Sequence, residues 1–180
     1  MKNSLTGDAG EFLMHLIVAL TLMLFCLVPV GAQELTRPKA EIKGTFGGAG
    51  FLDADAHTVA GGSVRFYLTK RFSIEPELLY MRASQRDEDV VFTPNVALDV
   101  VDPSNKVVPY VIGGVGVLHH RSDFGFFRDS STGWTASAGG GVKIYITDKL
   151  YIAPEARIGW EPLARATVSV GYTFSGRDRR

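Results

Sequence analysis

A parity rule for charged residues restricts the fold of this chain more than any other feature of its sequence. Between residues 41 and 174, eight stretches alternate between polar and apolar residues, and every charged residue inside them carries an odd number. These charged residues are Glu41, Lys43, Arg65, Glu75, Glu77, Asp99, Lys143, Glu155, Arg157 and Arg165. The even positions of the same stretches are mainly apolar. Because successive side chains of a β-strand point to opposite faces, this period of two predicts an all-β chain.

Turn residues separate the alternating stretches and define the strands. We predict eight strands, at 41–51, 58–68, 72–81, 90–101, 107–118, 133–146, 150–160 and 165–174. Their lengths are near the roughly nine to eleven residues that a tilted strand needs to cross a bilayer. The strands are therefore long enough for a transmembrane barrel.

The charged face is balanced, with five basic and five acidic residues. A closed interior of low dielectric requires such a balance, because an unpaired buried charge is strongly unfavourable, whereas a solvated face has no such requirement. The balance indicates that odd-numbered side chains fill a lumen and form a salt-bridge network there.

The even-numbered face carries aromatic residues near both ends of the strands. One set is Tyr80, Phe92, Trp134 and Trp160, and the other is Phe66, Phe72, Tyr172 and Phe174. We call these two sets the aromatic girdles. Girdles on either side of an aliphatic band are typical of membrane barrels, whose apolar face contacts lipid. The alternative is a water-soluble barrel or sandwich with an apolar core, since alternation alone does not identify the wet face.

Three tight connections join strands through an odd number of residues. They are Thr69-Lys70-Arg71, Asp102 to Lys106, and Thr147-Asp148-Lys149. An odd connection places residues of equal parity opposite each other across a hairpin. We therefore expect Arg65 to face Glu75 or its neighbours, and Lys143 to approach Glu155.

An internal repeat supports a hairpin architecture. Residues 61–77, GGSVRFYLTKRFSIEPE, resemble residues 139–155, GGGVKIYITDKLYIAPE, at an offset of 78 residues. This offset spans two hairpins, so the two copies are expected on opposite sides of an eight-stranded ring.

Three segments resemble the bacterial outer-membrane β-barrel protein family, the relatives of the outer membrane protein A transmembrane domain. They are the repeated segment, residues 109–116 (PYVIGGVG) and the closing residues 168–174 (VSVGYTF). The resemblance covers nearly all of residues 40–174, and it implies an eight-stranded antiparallel up-and-down transmembrane β-barrel in the bacterial outer membrane. It also implies that Tyr172 and Phe174 form the signal read by the barrel-assembly machinery, although this chain continues to residue 180 where family members usually stop at the aromatic.

The family topology implies that both termini and the tight turns lie in the periplasm. The outer loops are then expected near 52–57, 82–89, 119–132 and 161–164. We interpret the charged run 86–89 as a solvated part of such a loop.

An apolar run from Leu16 to Val30 precedes the strands and follows a short segment that contains Lys2. It leads into Val30-Gly31-Ala32, which fits the small-x-small rule for cleavage by signal peptidase. A run of about 15 residues is shorter than the roughly 20 of a spanning helix, so a signal peptide is favoured over a membrane anchor. We predict a signal peptide at 1–32, a periplasmic segment at 33–40, the barrel at 41–174 and a basic tail at 175–180.

The charge balance and the barrel size argue against several functions. Lys plus Arg number 19 and Asp plus Glu number 19, so the chain has no net field that would attract nucleic acid. The lumen of an eight-stranded barrel is just filled by side chains, so a general diffusion pore is not expected. No cofactor is expected.

One cluster, residues 119–123 (HHRSD), has the composition of a catalytic site. His120 and Ser122 beside Asp123 or Asp129 would suit a hydrolase, and the His120-x-Ser122 spacing resembles lipid A deacylases. No oxyanion donor is identifiable, so we expect no catalytic residue.

The same region offers no metal site on sequence grounds. The side chains of adjacent histidines on a strand point to opposite faces, so His119 and His120 are not expected to share a metal ion. The aromatic residues at 124, 126 and 127 suit contact with lipopolysaccharide or a cell partner, or packing against the barrel rim.

The sequence therefore predicts a non-enzymatic, monomeric outer-membrane barrel with a structural or surface-binding role. Its expected partners are outer-membrane lipids, lipopolysaccharide and, during biogenesis, the barrel-assembly machinery. The alternatives are a narrow channel for small apolar solutes, a surface lipid A hydrolase and a soluble barrel.

Overall fold

The computed structural model describes residues 39–50, 56–84, 87–123 and 128–174, which form eight antiparallel strands closed into a barrel. The strands are β1 (Ala40–Gly50), β2 (Ala56–Tyr67), β3 (Phe72–Ser84), β4 (Asp87–Asp99), β5 (Val107–Asp123), β6 (Arg128–Tyr145), β7 (Leu150–Trp160) and β8 (Ala164–Thr173). The predicted fold class is confirmed. Within the described residues, no helix has the length and apolar character needed to span a bilayer. The signal peptide and the tail predicted at 1–32 and 175–180 lie outside the described residues.

The strand order around the barrel follows the sequence, and β8 pairs with β1 to close it. One end of the barrel carries the tight connections 68–71, 100–106 and 146–149, and we call it the turn end. We call the opposite end the outer end. Because the order is sequential, the repeated hairpins β2–β3 and β6–β7 lie on opposite sides of the ring, as the offset of the repeat predicts.

Two hairpins at the outer end, β3–β4 and β5–β6, are longer than the sequence predicts. β5 continues to Asp123 and β6 begins at Arg128, so much of the predicted loop 119–132 is strand. β3 and β4 likewise extend into the predicted loop 82–89. The residues of these segments pair with the neighbouring strand. This pairing makes them part of the sheet although polar and apolar residues do not alternate clearly there.

The parity rule describes seven of the strands and is wrong for β5. Glu41 pairs with Arg65 and Arg157 with Arg165, so odd residues stay opposite odd residues. In β5 the register changes, because Asp99 pairs with Tyr110 and Val108 with Lys143. The inward residues of β5 are therefore the even ones.

The β5 inversion arises in the connections on both sides of the strand. Five residues separate the paired Tyr67 and Ser73, whereas ten separate the paired Asp99 and Tyr110. Four residues separate the paired Asp123 and Arg128 in the next connection, and this second even number restores the original parity from β6 onward. β5 contains no charged residue between 107 and 118, so the charge pattern gave no sign of the change.

Three proline residues interrupt the pairing between neighbouring strands. The paired register is broken opposite Pro76 between β2 and β3, opposite Pro94 between β4 and β5, and opposite Pro154 between β6 and β7. Proline has no N–H to donate to a ladder, which accounts for each gap. The β1–β2, β5–β6, β7–β8 and β8–β1 registers are continuous.

The two faces of the barrel wall differ in polarity as a membrane barrel requires. The outward face is apolar, with exposed side chains that include Ile42, Phe46, Leu78, Val96, Val111, Val115, Ile158, Val168 and Val170. Most of the buried polar and charged side chains lie inside the barrel. This arrangement is the reverse of a soluble barrel, whose inner face is apolar and whose outer face is wet.

Candidate functional site

The lumen contains all ten charged residues that the parity rule singles out. Their exposed fractions lie between 0% and 7%. They are contributed by every strand except β5, so the barrel wall brings together charges that are distant in sequence. Each buried charge needs a partner, and the contacts show how these partners are supplied.

At the turn end, Lys143 joins two carboxylates. Its Nζ atom lies 2.9 Å from Asp99 Oδ2 and 3.4 Å from Glu41 Oε1, and it donates to the Tyr67 hydroxyl at 2.6 Å. The Tyr151 hydroxyl donates to the second Glu41 oxygen at 2.9 Å. The described ion pairs of Lys143 are therefore with Asp99 and Glu41, whereas we predicted an approach to Glu155.

In the middle of the lumen, Glu75 receives two cations. Arg65 Nε lies 2.5 Å from Glu75 Oε2, in agreement with the hairpin pairing, and Lys43 Nζ lies 2.7 Å from Glu75 Oε1. The Ser63 hydroxyl also donates to Glu75, at 2.9 Å. Arg65 additionally lies 3.4 Å from Asp99, which connects this group to the turn end.

Toward the outer end, two arginines share two carboxylates. Arg157 lies 2.7 Å from Glu155 and 3.3 Å from Glu77, and Arg165 lies 3.0 Å from Glu77 and 3.5 Å from Glu155. Lys43 is 3.5 Å from Glu155, so this group is joined to the middle of the lumen. The ten charges thus form one connected network along the barrel axis.

Tyrosine side chains are a part of this network that the sequence reasoning missed. The Tyr110 hydroxyl donates to Glu155 at 2.7 Å, and its ring lies under the Arg65 guanidinium at 4.7 Å. Tyr151 bonds Glu41 as described above. Tyr67 and Tyr151 have odd numbers, so the parity rule could have predicted that they face the lumen. Tyr110 has an even number on the inverted strand β5, so the same rule could not have found it.

Two glycines make room for these rings. A Cβ atom at Gly141 would lie 2.6 Å from the Tyr110 hydroxyl oxygen, and a Cβ atom at Gly171 would overlap the Tyr151 ring. Both glycines face the lumen from strands next to the tyrosine-bearing ones. The tyrosines therefore reach the carboxylates because the neighbouring strands lack side chains at these points.

Apolar and aromatic side chains fill the space around the charged network. One cluster, nearer the turn end, contains Ala97, Val108, Tyr110, Ile112, Tyr145, Tyr151 and Ala153. The other, nearer the outer end, contains Ala49, Val59, Leu79, Met81, Val91 and Leu118. Beside Arg157 and Arg165 lies a cavity of about 10 Å³, the volume that about one water molecule needs. The described part of the lumen is thus packed.

A second polar cluster lies near the outer end of the lumen, where we predicted only a solvated loop. Asp89 is 1% exposed, and its two carboxylate oxygens lie 2.7 Å from His120 Nδ1 and 3.5 Å from His57 Nε2. These residues link β2, β4 and β5. Sequence reasoning missed Asp89 and His57, although the odd number of each is consistent with an inward position.

Of the cluster at residues 119–123, for which we expected no catalytic role, the structure describes the side chains of His119, His120 and Arg121. The acid that contacts His120 is Asp89, and His119 points to the other face, where its Nδ1 atom lies 2.9 Å from the Thr132 hydroxyl. The side chains of Ser122, Asp123 and Asp129 and the residues 124–127 lie outside the described residues. Within the described residues, no three His, Cys, Asp or Glu side chains are arranged to hold a metal ion.

The aromatic girdles lie on the outer surface of the wall. All eight residues are more than one-third exposed: Phe66, Phe72, Tyr172 and Phe174 near the turn end, and Tyr80, Phe92, Trp134 and Trp160 toward the outer end. Tyr172 and Phe174, the predicted assembly signal, contact each other edge to face at 5.5 Å between ring centroids. They lie at the end of the strand that closes the barrel against β1.

Comparison with known proteins agrees with this geometry. The model of the family described as the outer membrane protein beta-barrel domain matches residues 17–174. No curated protein matches the sequence.

Several solved structures share the fold at low sequence identity. The N-terminal β-barrel domain of Pseudomonas aeruginosa OprF is 18% identical with a TM-score of 0.63, and the match covers 77% of this chain and 98% of that one. Neisserial surface protein A is 11% identical with a TM-score of 0.61, covering 75% and 96%. Ail, the attachment invasion locus protein of Yersinia pestis, is 11% identical with a TM-score of 0.50, covering 74% and 94%.

These likenesses support the barrel fold, and the family match covers most of the chain. The family match, the apolar outer wall and the charged interior together exclude the soluble-barrel alternative. The chain belongs to the outer membrane protein beta-barrel domain family and is a protein of the bacterial outer membrane.

Proposed function

We propose that this protein is a non-enzymatic barrel with a sealed lumen, which spans the outer membrane and presents its outer hairpins for binding at the cell surface. The observation that carries the proposal is the single connected network of five cations and five carboxylates inside the barrel. A network of this kind fills and stiffens the lumen. The long β5–β6 hairpin is then the most prominent element for surface contacts.

The packed interior supports a sealed barrel over a channel. A solute passing along the axis would have to separate ion pairs such as Lys43–Glu75 and leave both charges without partners. Breaking one buried pair costs about 3–5 kcal/mol. The two apolar clusters packed around the network add a second obstacle to ions.

The outward surface supports contact with outer-membrane lipids and with lipopolysaccharide. Its aliphatic band suits acyl chains, and the aromatic girdles suit the interfaces. The aromatic pair Tyr172 and Phe174 is suited to recognition by the barrel-assembly machinery, because it lies on the last strand. We propose a monomer, since the ring of eight strands is closed and offers no free edge. Residues 1–32 are proposed to be the export signal.

Single-channel recording in planar bilayers tests the sealed lumen. We expect no stepwise current from the wild-type protein. The Lys43→Ser, Glu75→Ser double variant removes an ion pair from the middle of the lumen without changing the net charge. It serves as the matched control, because it shows whether the recording detects an opened lumen. Stepwise currents from the wild type would favour the narrow channel instead.

Trypsin digestion of intact cells tests the surface role and the orientation. We expect cleavage in the outer hairpins, at Arg121 or Arg128 between β5 and β6 or at Arg86 between β3 and β4, with the turn end protected. Cleavage at Lys70 or Arg71 in intact cells would show that the turn end is outside. Release of fatty acids from lipid A by the purified protein, lost in His120→Ala, would instead establish a surface hydrolase.

A further inference from the structure

The turn end carries a regular set of basic residues that the lumen network does not use. Lys39, Arg71, Lys106 and Lys149 each directly precede an odd-numbered strand, β1, β3, β5 and β7 in turn. We call these four residues the basic ring. Since the strands follow each other around a closed barrel, the four positions are spread around the whole circumference at one end.

All members of the basic ring are exposed, and local hydrogen bonds hold the backbone of Arg71 and Lys149 in place. The Thr69 hydroxyl accepts from the backbone N–H of Arg71 at 3.3 Å, and the Thr147 hydroxyl accepts from that of Lys149 at the same distance. Arg71 also donates to the backbone carbonyls of Asp99 and Val100. These are bonds to neutral carbonyls, so they orient the Arg71 guanidinium without cancelling its charge.

The carboxylates near the turn end are too few to neutralise the basic ring. Glu41 and Asp99 are buried and matched by Lys143 and Arg65 inside the barrel. The exposed described residues of this end include five basic ones, namely the ring and Lys70, and two acidic ones, Asp102 and Asp148. The backbone N–H of Ser104 donates to the Asp102 carboxylate at 2.9 Å and lowers its pKa, and the charges of Lys70 and Arg71 lower it further. Asp102 therefore offsets part of the basic charge, and two carboxylates against five basic residues leave this end with a net positive charge.

The height of the basic ring matches the phosphate level of a lipid leaflet. Phe72 of the aromatic girdle directly follows Arg71, and Phe66, Tyr172 and Phe174 lie at the same end. Aromatic girdles sit at the boundary between hydrocarbon and headgroups. One further residue along a strand rises about 3.3 Å, which brings the basic side chains among the headgroups.

We propose that the basic ring binds the phosphate groups of anionic phospholipids in the leaflet at the turn end. The inference goes beyond the proposed sealed barrel, because it assigns a lipid class and four binding residues to one rim. A basic residue near an anionic surface favours the charged lipid about fivefold. The connections at the outer end contain more acidic than basic residues, so the preference is expected at the turn end alone.

Lipid selectivity measured by electron paramagnetic resonance tests the proposal on the folded full-length barrel. The protein is reconstituted in phosphatidylcholine vesicles at low salt, with either spin-labelled phosphatidylglycerol or spin-labelled phosphatidylcholine. We expect the wild type to immobilise the phosphatidylglycerol label severalfold more strongly. The Lys106→Gln, Lys149→Gln pair should lose about half of this preference, and neutralising all four ring residues should abolish it.

The matched control is the Arg82→Gln, Arg121→Gln pair, which removes two exposed basic residues of the outer end and should keep the wild-type preference. Heat-modifiable migration on gels shows for each variant that the barrel has formed, so loss of selectivity is separable from loss of the fold. Equal preference for both lipids in the wild type, or equal loss in both pairs, would overturn the proposal. Displacement of the label by inorganic phosphate, but not by chloride at equal ionic strength, would show a site for free phosphate and would also overturn it.

Discussion

Lys43 on β1 lies 2.7 Å from Glu75 on β3, although β2 separates these two strands in the barrel wall. The contact crosses the curved interior and skips the neighbouring strand. The curvature of the closed barrel favours the contact, because inward side chains of strands two apart converge, whereas the backbones of such strands in a flat sheet lie about twice the 4.8 Å strand spacing apart and their side chains stay parallel.

Replacing Lys43 by Met is expected to destabilise the barrel by about 3–5 kcal/mol, because Glu75 and Glu155 would each lose a buried cation. The midpoint of urea unfolding in vesicles measures this loss. Lys70→Met is the matched control, since Lys70 is exposed in a turn and its removal should change stability by less than about 0.5 kcal/mol. Equal midpoints for the two variants would contradict a structural role for the network.

The inverted parity of β5 predicts that Val111 contacts lipid and Ile112 faces the lumen. A spin label on Val111→Cys should be accessible to oxygen dissolved in the bilayer, whereas one on Ile112→Cys should be protected. Val111→Arg should reduce insertion, at a cost of about 2–4 kcal/mol near the midplane. Ile152→Arg on β7 should behave alike, as an even residue of a strand with regular parity. The reverse accessibilities at 111 and 112 would show that parity is unbroken.

Asp89→Ala is expected to loosen the outer ends of β2, β4 and β5, because His57 and His120 lose their shared carboxylate. We expect a loss of about 1–3 kcal/mol and faster trypsin cleavage at Arg121. Glu88→Ala is the matched control, since the adjacent carboxylate lies on the opposite face of the strand. If both variants are cleaved at the same rate, the Asp89 cluster has no role in holding the hairpins.

Gly171→Ala should destabilise the barrel by about 1–3 kcal/mol, because the added methyl group overlaps the Tyr151 ring and displaces it from Glu41. Gly44→Ala provides the contrast, as a Cβ atom there meets nothing within 4 Å. It should leave stability unchanged or raise it by about 0.5–1 kcal/mol. Thermal shifts on gels compare the two directly, and a Gly171→Ala barrel as heat-stable as the Gly44→Ala one would refute the packing argument.

The fold was predictable because one physical requirement acts on every strand. A wall with lipid outside and charges inside requires polar and apolar residues to alternate. The odd number of Glu75 therefore predicts that it faces the lumen, and the even number of Val96 predicts that it faces lipid. The ion-pair partner of each charged residue was harder to predict from the sequence. Arg65 meets Glu75 across a tight hairpin, as predicted, but Lys143 meets Asp99 and Glu41 across the lumen. Such pairs depend on strand tilt and register around the ring, which local sequence does not encode.

The residues that sequence reasoning missed lie where a local rule failed. Asp89 sits in a charged run that resembles a loop, and only ladder pairing with Met81 and His120 makes it part of the wall. Tyr110 lies on the one strand whose parity is inverted. Counting the residues between the predicted strand ends did not reveal the inversion. The last residue of β4, Asp99, pairs with Tyr110, so Val107 to Pro109 extend beyond the end of β4 and belong to the connection in that ladder.

The inverted strand also restricts how the length of this chain can change. Deleting one residue from the turn 100–106 would bring Tyr110 and Val108 out toward lipid, and every later strand would turn over with β5. A second deletion or insertion between β5 and β6 would confine the change to that one strand. The two connections that border β5 are therefore coupled in length: an indel in one that shifts the register of β5 by one residue is expected to need a compensating indel in the other.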